Sequence, residues 1–109
     1  MKDDTIYLEH IENSLKRIIS YASNVSHEAF LEDYKLQDAC IRQIEIIGEA
    51  TKKISEIFKE KYPEIPWKDM AGIRDKLIHD YIDVDLNIVY QTVAVDIPIL
   101  FHKIEKILH

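Results

Sequence analysis

Glycine occurs twice, proline three times and cysteine once among 109 residues. So little turn chemistry disfavours a sandwich or barrel of many short strands, each of which needs its own tight turn. The single thiol, Cys40, cannot form an intramolecular bridge. Neither an apolar run of about 18 residues nor a basic-then-apolar leader is present, so the expectation is a soluble, cytoplasmic chain with no membrane partner. Positive charge is also short: 14 Lys and Arg stand against 20 Asp and Glu, a net of -6 that argues against a general nucleic-acid coat. The H-E-x-x-H, C-x-x-C, glycine-rich phosphate-loop and G-x-S-x-G signatures are all missing. Asp80, Asp83 and Asp85 lack the loop glycine and closing Glu of a calcium loop. The expectation is therefore neither a metal nor a cofactor.

What is abundant is helical periodicity. The composition, 47% hydrophobic and 31% charged, suits one domain over residues 1–109, and at this size a compact fold buries roughly two-thirds of the surface its unfolded chain exposes. Leu8, Ile11, Leu15, Ile18 and Ala22 recur at 3 and 4, predicting an amphipathic helix of about 20 residues with Asp3 or Asp4 as N-cap. Around 24–33 the period breaks, and Ser26 can cap a short turn that drops Phe30 and Leu31 into the core. Leu36, Cys40, Ile44, Ile47, Thr51, Ile54 and Phe58 predict a second long helix that ends before Pro63, with Cys40 as a core thiol. The two prolines between Tyr62 and Trp67 make a rigid corner, which Trp67 anchors.

Beyond the corner, Met70, Ile73, Leu77 and Ile78 give a short helix with Gly72 as an irregularity. Asp85 then caps a last helix whose stripe is Leu86, Tyr90, Val93, Ile97, Leu100, Ile104 and Ile107, kinked at Pro98. Three long helices plus short ones predict an all-α, up-down bundle. The sustained spacing of the last helix suits an ordinary core and a helix-on-helix dimer seam equally.

Charge is uneven along this bundle. Residues 42–76 hold eight basic and seven acidic side chains, so this third is slightly positive within an acidic whole and could focus an anion. It leads into Arg74-Asp75-Lys76-Leu77-Ile78-His79-Asp80-Tyr81, where polar groups must point away from the apolar Leu77 and Ile78. On an ideal helix, Arg74 and His79 are about 140° apart, whereas Asp75 and His79 are neighbours at i, i+4, where the carboxylate can orient the ring. Arg74 and His79 can converge only at a frayed end or across a two-fold axis. The chemistry suited to this set is cleavage of an RNA phosphodiester, with Arg74 holding non-bridging oxygens and His79 moving protons near its usual pKa of about 6.5. A merely solvated Arg and His on a helix face fits the same spacing. His10, His27, His102 and His109 sit in polar or terminal settings and read as solvated.

Arg74, His79 and Tyr81 spell R-x-x-x-x-H-x-Y, and the chain resembles the HEPN superfamily, in particular the HepT-like toxins. Tyr7-Leu8-Glu9-His10-Ile11, Ile46-Ile47-Gly48-Glu49-Ala50, the 62–67 corner and Met70-Ala71-Gly72-Ile73-Arg74 look like family segments in family order. The resemblance implies a homodimeric, metal-independent endoribonuclease toxin, with Arg74 and His79 of both copies in one composite cleft. It also implies a minimal nucleotidyltransferase antitoxin as partner, which transfers AMP to Tyr81 and so places negative charge where the RNA phosphate must sit. Asp75 stands where the family commonly has Asn or another polar residue; it can hold His79 charged as a catalytic helper, yet would repel a phosphate. Lys76, Lys52 and Lys53 are candidates for positioning RNA phosphates. A non-catalytic HEPN module that binds a nucleotide or partner is the alternative. Gly48, inside a helix, points to close helix approach.

Overall fold

The computed structural model describes residues 2–78 and 83–109. Its order is α1 (Lys2–Ala22), α2 (His27–Glu32), α3 (Tyr34–Lys52), α4 (Glu56–Lys61), α5 (Trp67–Ala71), α6 (Ile73–Leu77), α7 (Leu86–Gln91), a π-helical turn (Thr92–Asp96) and α8 (Ile97–Leu108). Among the described residues the only β pairing is an isolated antiparallel bridge between Ile78 and Val84. The fold is the expected all-α bundle, and no helix in the described residues is long and apolar enough to cross a membrane.

The core follows the stripes. Leu8, Ile11, Leu15 and Ile18 of α1, Cys40, Ile44 and Ile47 of α3, and Ile97, Leu100 and Ile104 of α8 are all buried in one cluster. Thus α1 lies between α3 and α8, while α3 turns another side to α5 and α6. Burial of Cys40, reinforced by the nearby Asp33 charge, pushes its thiol up to about 11. It is a packing residue and no nucleophile at neutral pH. Ser26 caps α2 through the Ala29 N–H and Phe30 is buried as expected, while Leu31 is only half-buried.

Three expectations need correction. First, α1 begins at Lys2, so Asp3 and Asp4 lie in its first turn rather than at its cap. Asp4 reaches across the bundle, where its carboxylate accepts from the Ser55 N–H and hydroxyl, both at 2.7 Å. Second, the helix expected through Phe58 stops at Lys52, and α4 restarts with Ser55 as N-cap to the Phe58 N–H. Ser55 can cap only if its own backbone leaves the helix, and the two bonds to Asp4 hold it there. Ile54 still reaches the core at 3% exposure, so the apolar pattern survives the break.

Third, the last helix is not uniform. Val89 is fully buried while Leu86 and Tyr90 are half-buried, so the deep stripe runs Val89, Val93, Ile97 at spacings of 4 and 4. Eight residues over two turns exceed the roughly 7.2 of an α-helix, and the surplus is absorbed by the π-helical turn, closed by the Ile97 N–H donating to the Thr92 carbonyl. The irregularity expected of Pro98 therefore takes the form of a wide turn just ahead of it.

The corner holds as expected. Trp67 is buried, its indole N–H donates to the Tyr62 and Lys59 carbonyls at 2.9 and 3.1 Å, and Phe58 meets its ring edge-on.

Candidate functional site

The corner delivers the chain to two helices of one turn each. Gly72 joins them: its N–H donates to the Lys68 carbonyl and its carbonyl accepts from the Asp75 N–H. Met70 and Leu77 are buried, and the pair lies on α3 over Gly48. A Cβ at Gly48 would stand 3.5 Å from the Ala71 carbonyl oxygen and 3.6 Å from a methyl of Ile73. The close approach expected of Gly48 is thus a helix-packing contact.

That packing sets Arg74. Its side chain is 45% exposed, with Nε 3.5 Å from Glu45 Oε2 on α3 and Nη1 3.6 Å from Asp75 Oδ1. Neither contact is short enough for a strong hydrogen bond, so both acids orient the guanidinium without saturating its donors. Glu45 is a residue that the sequence reasoning missed. The signal was there: Glu45 lies three residues before Gly48 and so shares the face that α5 and α6 approach.

After Leu77 the helix ends, with Ile78 extended at φ -124 and ψ 111 and its N–H bonded to the Arg74 carbonyl. This overturns the ideal-helix argument that made Asp75 and His79 neighbours at i, i+4, because no helix continues past Leu77. His79 and Tyr81 themselves lie outside the described residues. On the far side, the Asp85 N–H donates to the Leu77 carbonyl at 3.1 Å beside the Ile78–Val84 bridge. Asp85 also caps α7 through the Ile88 N–H, as expected.

The lysines separate. Lys76 is two residues from Arg74, about 200° around the helix, and faces a groove of about 560 Å³ between α5–α6 and the last helix, with Lys68, Met70, Ile99 and Lys103 among its walls. Lys52 is two turns along α3 from Glu45 on nearly the same face, paired with Glu49 at 3.6 Å. Lys53 is turned towards α1, where its ammonium lies over the Tyr7 ring. Of the proposed phosphate-positioning set, Lys52 shares the Glu45 face of α3, Lys76 borders the groove, and Lys53 is directed elsewhere.

Two histidines read as solvated have partners. His27 bonds Asn87 at 2.8 Å and stacks on Tyr90, while His109 Nε2 is 3.1 Å from the buried Glu12 carboxylate. Both partners lie sixty or more residues away, beyond any local spacing rule.

With this geometry in place, comparison with known proteins is decisive. The model of the family described as "Ribonuclease HepT-like" matches residues 11–107. The chain belongs to the HepT-like ribonuclease family. It is 48% identical over 101 residues to a protein of Thermococcus cleftensis named "Probable ribonuclease HepT", covering 93% of this chain and 92% of the relative. A protein of Caldanaerobacter subterraneus subsp. tengcongensis, whose name gives it provisionally as an RNase, is 42% identical over 108 residues, 99% of this chain and 96% of its own. No solved structure matches. In this HepT-like chain, the run that carries the family resemblance begins at the Arg74 helix packed against Gly48.

Proposed function

We propose that the chain is an endoribonuclease toxin of a toxin–antitoxin pair that cleaves RNA without a metal ion. The observation that carries this reading is the Arg74 guanidinium, held to solvent on a helix fixed by Gly72 and Gly48 and steadied from behind by Glu45. A permanently charged fork in that setting suits the non-bridging oxygens of a phosphodiester and the charge that grows on them in the transition state. His79 takes the 2'-hydroxyl proton or gives one to the departing 5'-oxygen. The 2'-oxygen forms a bond to phosphorus as the bond to the 5'-oxygen breaks, leaving a 2',3'-cyclic phosphate. The printed names of the two relatives, a "Probable ribonuclease HepT" and a provisional RNase, favour the same substrate class.

In this reading two copies form the working unit, so that each Arg74 meets a His79 in a shared cleft. Val95 and Ile99, at 50% and 55% exposure on the outer side of the last helix, offer an apolar surface beside the groove that Lys76 borders. Asp75, 75% exposed and beside Arg74, acts as a helper that keeps the guanidinium oriented. Lys52 and Lys76 position flanking phosphates, and a nucleotidyltransferase partner silences the enzyme by transferring AMP to Tyr81.

Purified protein should cleave RNA in excess chelator and leave 2',3'-cyclic ends, while Arg74→Ala and His79→Ala fold and lose cleavage. Cleavage retained by both variants refutes the mechanism. Overproduction alone should arrest growth; co-production with the partner should relieve it and leave an adenylyl group on Tyr81. Neutralisation with Tyr81 unmodified, or modified only elsewhere, refutes the regulatory part.

A further inference from the structure

A second cluster of chemically capable groups lies where the last turn of α8 meets the middle of α1. Glu105 and His109 are four residues apart, and the His109 N–H bonds the Glu105 carbonyl at 2.9 Å, so both side chains issue from one face of the same turn. Facing them is Glu12 of α1, 8% exposed. His109 Nε2 is 3.1 Å from Glu12 Oε2 and 3.9 Å from Glu105 Oε2, and one ligand atom from each of the three residues falls within 4.8 Å of the others.

We propose that Glu12, Glu105 and His109 bind one zinc-class divalent ion that fastens α8 to α1. Three lines of chemistry converge. Metal–ligand distances of about 2.0–2.1 Å at tetrahedral angles place neighbouring ligand atoms about 3.4 Å apart, and the edges of 3.1 and 3.9 Å bracket that value. Two carboxylates and a neutral imidazole balance a dication, and the ion would take the place of the side-chain hydrogen bond through which Glu12 and Glu105 face each other. The nitrogen donor selects against calcium and magnesium, which take oxygen ligands in larger number. Three protein ligands leave one position for water. Lys16 Nζ, 3.9 Å from Glu12 Oε2, is the competing cation; its side chain is 54% exposed, so it can turn into water when the ion enters. None of these residues belongs to the Arg74 site, and the proposal stands or falls apart from the ribonuclease reading.

The test is calorimetric titration of the tag-free chain with zinc chloride at pH 7, with thermal unfolding followed in parallel. One zinc per chain should bind saturably and raise the midpoint. His109→Ala and Glu105→Gln, both at partly exposed positions that fold readily, should each weaken binding by about tenfold or more and lose the midpoint shift. Magnesium or calcium chloride at the same concentration should leave the midpoint in place. No saturable uptake overturns the proposal. So does zinc binding of unchanged affinity in both variants, which would place the ion elsewhere, or an equal response to calcium.

Discussion

Replacing Asp4 by Ala tests how the break between α3 and α4 is held. The carboxylate is 2% exposed and accepts two bonds of 2.7 Å from Ser55. A hydrogen bond to a charged group contributes roughly 1.5–3 kcal/mol; with Ser55 half-buried and water able to reach its freed donors, the loss of both should cost about 2–4 kcal/mol. At about 4 °C per kcal/mol for a domain of this size, the midpoint should fall by roughly 8–16 °C. Trp67, the one indole in the chain, is anchored to α4 through the Lys59 carbonyl, so its fluorescence in a urea titration reports on the affected region. Ser55→Ala also removes the α4 cap, worth about 1 kcal/mol, and the double variant should lose clearly less than the sum of the singles. The pH dependence has a definite sign. The Ser55 N–H, then its hydroxyl, holds the Asp4 carboxyl below its ordinary 3.8. The stabilisation is therefore complete above about pH 4 and is lost as pH falls through the lower folded value. The gap between wild type and Asp4→Asn should narrow below pH 3.8 and stay constant between 5 and 7. Strict additivity of the single substitutions, or a gap that widens in acid, would refute the reasoning.

Further outcomes follow from other sites. Arg74→Ala removes a half-exposed side chain with two long ion pairs, so urea unfolding should change by no more than about 1 kcal/mol while RNA cleavage disappears. Glu45→Gln should leave the fold intact and lower cleavage less than Arg74→Ala does, with single-turnover kinetics separating orientation from binding. Gly48→Ala meets only ordinary contacts and gains helix propensity, so stability should be unchanged or rise by up to about 1 kcal/mol, whereas Gly48→Leu should cost about 2 kcal/mol or more by forcing α5 and α6 off α3. Cys40 in the folded chain should resist iodoacetamide at pH 8 and react on unfolding, as mass spectrometry of timed samples would show.

The parts of the fold legible in the sequence are those that local periodicity controls. Leu8 to Ile18 and Cys40 to Ile47 lie in the core because an apolar stripe at helical spacing has nowhere else to go. The caps at Ser26 and Asp85 were equally readable, since each acts on a backbone N–H three residues away. The break after Lys52 was not, because its cause is a carboxylate fifty-one residues earlier in the chain. The same limit hid the meeting of Glu12 with Glu105 and His109, whereas Glu45 stood within reach of the Gly48 signal. The choice of Tyr90 over Val89 failed for a different reason: a fixed helical period has no room for a wide turn.

That wide turn carries one extra residue, and Pro98 follows it with only Ile97 between. Deleting the exposed Ala94 would convert the segment to ordinary α-helix without rotating Leu100 and Ile104 out of register, a shortening that α1 or α3 could not survive. The proline would then be stranded mid-helix at a penalty of about 3 kcal/mol, so the shortened chain should be viable only alongside Pro98→Ala. Insertion and imino acid form a matched pair, each tolerable because of the other.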